Sequence, residues 1–213
     1  MLMRRLNVIG LHNSFFDEHG FRFNLAKMSF TKNFQEGQQV ILIDFHRYPE
    51  ESFLEYRIGI RINAVEDLIQ KFLPSISDFF ERSITLIKNL DQISEKYPRK
   101  FSVKNEEDLK YAIQLGKEFF LNYGFDWMDQ MANPLILEGY YSHQKEGFYN
   151  DNQSVYNLFR GAVLAKLYKP VDYPIIKQAY LEQIKRNEMT PFTIASFLQL
   201  LDYLDHLEVK LSS

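Results

Sequence analysis

The chain has 213 residues, 46% of them hydrophobic, with 19 Phe and 13 Tyr: enough for one large domain or two small ones with a sizeable core, and against intrinsic disorder. A net charge of −3 without a basic stripe argues against a nucleic-acid-binding face, and the lack of cysteine excludes disulfides, thiolate nucleophiles and Cys-ligated metals. No stretch approaches the roughly 18 apolar residues of a membrane span, and the apolar run after Arg4 and Arg5 is too short for a secretion signal, so the expected setting is the cytoplasm, with no membrane partner.

In chain order, residues 6–19 read as an amphipathic helix, with Leu6, Ile9, Phe15 and Phe16 at helical spacing and Gly20 as the left-handed residue that ends it. Gly10 weakens its middle. "FRFNL" and "MSFTKNF" alternate as strands, and the slip of phase at Ala26 and Lys27 predicts a bulge or two short strands. Gly37 is expected to supply a positive φ in the turn "QEGQ".

Next comes "VILIDFHRYPEESFLEYRIGIRIN". Leu54, Tyr56, Ile58, Ile60 and Ile62 share one face of a strand, while Glu55, Arg57, Gly59 and Arg61 share the other. Written as a hairpin closing from Tyr48 to Phe53 around Pro49–Ser52, the stretch sets His46 opposite Glu55 and Asp44 opposite Arg57, with Ile43 opposite Ile58 on the apolar face. Complementary cross-strand pairs of this kind account for the charges without chemistry. A ligand groove on the same polar face, using Asp44, His46, Arg57 and Arg61, is the competing reading.

A helix over residues 64–73 follows, with Asn63 as N-cap and Glu66 and Asp67 complementing its dipole; Pro74 ends or kinks it and "SDFFER" is a candidate resumption. "SITLIKNL" predicts a fourth strand. Asn105, the acidic run Glu106–Asp108 and Gly124 delimit a helix over 106–123. Further helices are expected over 154–168, 174–186 and 191–208, the last capped by Thr190, begun by Pro191 and striped by Ile194, Phe197, Leu198, Leu201 and Leu204. Strands first and helices afterwards is the order of an α+β fold: a small antiparallel sheet of three to four strands, within about residues 1–100, packed with helices, and a helical half over about 101–213, all in one domain.

Motifs with chemistry are scarce. His12 and His19 stand about 10.5 Å apart along a helix, too far for one metal ion, and no HExxH spacing occurs. His143 and His206 read as surface or helix-end residues. There is no G-x-S-x-G elbow and no glycine-rich turn between a strand and a helix, so no catalytic residue, cofactor or metal is assigned. The paired acids Glu50–Glu51, Glu106–Glu107 and Asp202–Asp205 have structural explanations in a turn, a helix start and an outer face. The most unusual stretch is "EGYYSHQKEGFYNDNQSVYNLF", where Tyr140, Tyr141, Phe148 and Tyr149 offer an aromatic interaction surface, or a seal between sheet and helices.

The helix ending in "HGF", the strand "FTK", the pair "VILIDF" and "YRIGIRI" and the helix after it resemble the opening of a family of uncharacterised bacterial α+β domains. The resemblance implies the fold and no site residue. The leading expectation is a cytoplasmic bacterial protein, immunity-like and without catalytic activity, that binds another protein. The alternative is an enzyme or small-molecule binder with its site between the sheet and the helical half. A structural oligomer is a third.

Overall fold

The computed structural model describes residues 5–73, 83–143, 154–186 and 189–209. The "SDFFER" stretch, Phe148 and Tyr149 lie outside them. The fold is α+β, and the chain divides into two compact units, residues 1–61 with 86–132 and residues 62–85 with 133–213. The division does not follow the expected sheet half and helical half: the helix after Asn105 belongs with the sheet, and the helix after Ile62 belongs with the later helices.

The first unit holds the sheet. Helices α1 (Arg5–Gly10) and α2 (Asn13–Glu18) come first, interrupted at Leu11 and His12, where the expected single helix breaks. α2 ends in a Schellman motif: Gly20 N–H donates to the Asp17 carbonyl and Phe21 N–H to that of Phe16, with Gly20 at φ 84° as the expected left-handed residue. The Phe16 and Phe21 rings then meet edge to face, the apolar contact that commonly accompanies this cap. Strands β1 (Arg22–Asn24) and β2 (Ser29–Phe34) are the two short strands expected around the slip, joined by a turn in which Met28 takes a positive φ. Gly37 does not take one; it pairs with Phe34 as the first residue of β3 (Gly37–Arg47), so Gln35 and Glu36 make the turn.

β4 (Ser52–Ile62) carries the predicted alternation, with Leu54, Tyr56, Ile58, Ile60 and Ile62 all fully buried. It is paired along both edges. β3 lies on one, and β5 (Leu86–Asn89) and β6 (Lys100–Val103) take successive parts of the other, through Gly59↔Ile87 and Phe53↔Ser102. Among the described residues the sheet therefore has six strands rather than three or four, with β1–β2, β2–β3, β4–β5 and β4–β6 paired antiparallel. β6 carries too little local signal to be found in advance.

α4 (Glu106–Phe119) starts as predicted, the Asn105 side chain accepting from the N–H groups of Glu107 and Asp108. It does not stop at Gly124. A π turn, Phe120–Gly124, carries it into α5 (Phe125–Met131). Gly124 lies in helical conformation, and a Cβ there would come within 2.9 Å of the Phe119 and Phe120 rings. The glycine serves packing and not termination. Phe15, Phe16, Phe21, Phe120 and Phe125 form one contiguous ring cluster.

The second unit is helical. α3 (Asn63–Phe72), α6 (Pro134–His143), α8 (Tyr173–Arg186) and α9 (Pro191–His206) each pack on α7 (Ser154–Tyr168). α7 is the central element, buried without interruption from Asn157 to Ala165, as a helix surrounded by others must be. Gly161 admits α8 closely, since any Cβ there would collide with the Tyr180 phenol. Thr190 caps α9 through the Thr193 N–H, with Pro191 at its first position. The inner stripe of α9 is Phe197, Leu200, Leu201 and Leu204, rotated from the predicted one, and Leu198 is exposed.

Candidate functional site

The hairpin of β3 and β4 carries all four candidate residues, Asp44, His46, Arg57 and Arg61. Its loop is tighter than expected: Tyr48 N–H donates to the Glu51 carbonyl at 2.9 Å, leaving Pro49 and Glu50 at the tip. The Asp44–Arg57 pair is present all the same, because the long arginine reaches the carboxylate with Nε at 3.1 Å and Nη2 at 2.6 Å from Oδ2. A second guanidinium closes on the other oxygen, Arg5 Nη2 lying 2.6 Å from Asp44 Oδ1. Arg5 Nε also donates to the Ile43 carbonyl. The reason is topological: β2 pairs with β3 only as far as Leu42, so the strand edge beyond it needs another donor. Asp44 is buried with both oxygens bound, and it acts as a clamp between α1, β3 and β4.

The expected His46–Glu55 pair does not form. His46 is exposed and makes no hydrogen bond or ion pair among the described residues, while Glu55 lies 3.5 Å from Arg99. Arg61 sits far along β4, near enough to Lys27 that its charge, after partial burial, lowers the lysine's pKa. None of the four candidates Asp44, His46, Arg57 and Arg61 lines either of the two clefts described below.

On the opposite face of β4 sits a polar contact that sequence reasoning missed. His12 is buried, its Nδ1 2.9 Å from the Val8 carbonyl and its Nε2 2.7 Å from the Tyr56 hydroxyl. Burial lowers the pKa of His12 to about 4 and raises that of Tyr56. A neutral imidazole with Nδ1–H donating to Val8 leaves Nε2 to accept from the phenol, which satisfies both rings. Tyr56 packs so closely on Gly116 that a Cβ there would lie 2.7 Å from its ring. The pair is sealed inside the first unit and acts as a core fixture.

The tip of the hairpin differs. A cleft of about 420 Å³ is lined by Tyr48, Pro49, Glu50, Glu51 and Phe53. The Tyr48 ring is 60% exposed and stands nearly perpendicular to that of Phe53, centroids 5.8 Å apart. Lys100 Nζ lies 4.9 Å from the Phe53 centroid, so this ring already accepts a cation on its face. Ser102 donates to Glu51 at 2.6 Å, and Glu50 remains exposed. An exposed aromatic face beside a carboxylate is a setting for a cationic group. The signal was in the sequence, as Tyr and Phe bracketing Pro-Glu-Glu, but a turn explained those acids equally well.

Tyr140 and Tyr141 lie on α6 of the second unit. Tyr141 is buried, its hydroxyl donating to the Thr85 carbonyl, and so is removed from any interaction surface; Tyr140 is half-buried. Next to them the unit encloses an unforeseen ion pair. Glu66 and Arg160 are both fully buried and bonded twice, Nε to Oε1 at 2.9 Å and Nη2 to Oε2 at 3.1 Å. Glu66 is therefore a core residue and not a solvated dipole partner of α3. Among the described residues no group of three or more His, Asp or Glu is placed to hold a metal ion, and no helix is long and apolar enough to cross a membrane.

No family model, curated protein or solved structure matches the chain.

Proposed function

We propose that the chain is a non-catalytic binding protein whose hairpin tip docks on a protein partner through a basic side chain of that partner. The observation that carries this reading is the cleft of Tyr48, Pro49, Glu50 and Phe53, which joins an exposed aromatic face to an exposed carboxylate. A lysine or arginine entering it meets the Tyr48 ring and the Glu50 charge, an interaction worth about 0.5–2 kcal/mol for the ring alone. Tyrosine suits such a contact, since it presents a large area at a small entropic cost. The net charge of −3 favours a basic partner. A cytoplasmic, immunity-like role in bacteria, neutralising such a partner, is the setting this reading fits.

The test is site-specific photo-crosslinking in cells of the source organism. A benzophenone amino acid at position 48 is expected to trap one discrete protein, and Glu50→Lys is expected to abolish the adduct. The same probe at Tyr111, which is 66% exposed on α4, serves as control. Indistinguishable adducts at positions 48 and 111 would overturn the reading.

A further inference from the structure

The second unit contains another cleft, of about 350 Å³, where α7 ends, α8 begins and α9 finishes. Its lining includes Lys166, Pro170, Tyr173, Lys177, Gln178 and Asp205. We infer that this cleft binds a small organic molecule carrying an oxyanion, a carboxylate or a phosphate.

The lining has an excess of donors. Lys177 is already engaged by Asp205, which removes the carboxylate as a site for a cationic ligand. Lys166 makes no ion pair among the described residues; its Nζ lies 5.2 Å from the Tyr173 ring centroid, packed on the aromatic face. That arrangement leaves an ammonium beside the cleft without an opposing carboxylate. Tyr173 is 4% exposed, and its hydroxyl lies beside the Asp205 carboxylate without making a hydrogen bond of good geometry to it. A ligand acceptor in the cleft would offer this hydroxyl a better-aligned bond. Burial, together with the Asp205 charge, raises the Tyr173 pKa, so the phenol stays protonated and can donate. The Gln178 amide adds further donors.

Size and polarity narrow the ligand. A volume near the lower end of the usual range for ligand pockets suits a compact molecule. Pro170, Pro174 and the Tyr173 ring give an apolar wall against which a carbon skeleton packs while its anionic group faces Lys166. This site is independent of the hairpin tip and does not rest on the function proposed for it.

The experiment is an NMR titration of the ¹⁵N-labelled full chain at constant ionic strength, with benzoate and inorganic phosphate as separate probes and chloride as baseline. Saturable shifts confined to amides near Lys166, Tyr173, Gln178 and Asp205 are expected for at least one probe. Benzoate alone would mark the natural ligand as an organic carboxylate, and phosphate alone as a phosphate. Lys166→Met keeps the packing on Tyr173 and is expected to weaken binding at least tenfold, and Tyr173→Phe, which removes only the hydroxyl, severalfold. Tyr48→Ser is expected to bind as the wild type does. Non-saturating shifts with both probes, or unchanged affinity in Lys166→Met, would overturn the inference.

Discussion

His12 shows how one side chain ties stability to pH. An imidazole in the interior without a counter-charge is held neutral, and its pKa falls from 6.5 to about 4. The unfolded chain takes up a proton below about pH 6.5 while the folded chain does not until about pH 4. The folded state is therefore at full advantage above pH 6.5 and loses stability as pH drops through that window, by on the order of 3 kcal/mol in total. Urea unfolding at pH 7 and pH 5 is expected to show about 2 kcal/mol of this loss in the wild type and less in His12→Gln. Tyr56→Phe removes the partner of His12 Nε2 and should cost about 1–3 kcal/mol at pH 7. Gly116→Ala forces a methyl group against the Tyr56 ring and should cost a similar amount by overpacking. Thermal denaturation of the two variants checks both. None of this was legible in advance: helical spacing placed His12 on a helix, but its partner lies 44 residues away on β4.

At the scale of elements, what could be read depended on whether the deciding contacts are local. Asn105, Thr190 and Gly20 do what their positions imply, because a cap bonds to backbone within the next or preceding turn. Asn105→Ala is expected to cost about 1 kcal/mol, read from the urea midpoint, since it orphans the N–H groups of Glu107 and Asp108. Gly37 and Gly124 misled because glycine signals both freedom of φ and need for space; here the ladder opposite Phe34 and the rings of Phe119 and Phe120 decide. The stripe of α9 was rotated because Leu198 sits next to the true seam, and only the facing helices choose between adjacent apolar positions. The polar face of the hairpin was legible in part. Opposite charges correctly brought Asp44 to Arg57, whereas Arg5 came from outside the hairpin, where β2 leaves the edge of β3 uncovered.

For the whole molecule the informative feature is the Glu66–Arg160 pair, whose members lie 94 residues apart and both lie in the helical unit. Removing one member leaves a buried charge without its counter-ion, so Glu66→Gln is expected to destabilise by about 3–5 kcal/mol. Replacing both, as Glu66→Leu with Arg160→Met, is expected to recover most of that loss. Hydrogen exchange checks the location: protection of α3 and α7 amides should fall in the single variant and return in the double. The strand alternation of β4, the bounds of α3, α7, α8 and α9 to within about two residues, the absence of thiol chemistry and the α+β class all follow from residue type and short-range spacing, since dihedral preference, capping and periodicity act within a few residues. Which strand covers which edge, which histidine is buried, and which acid meets which guanidinium follow from the tertiary structure alone. Those contacts join segments far apart in the chain, and their energies arise from burial, a property no single segment possesses.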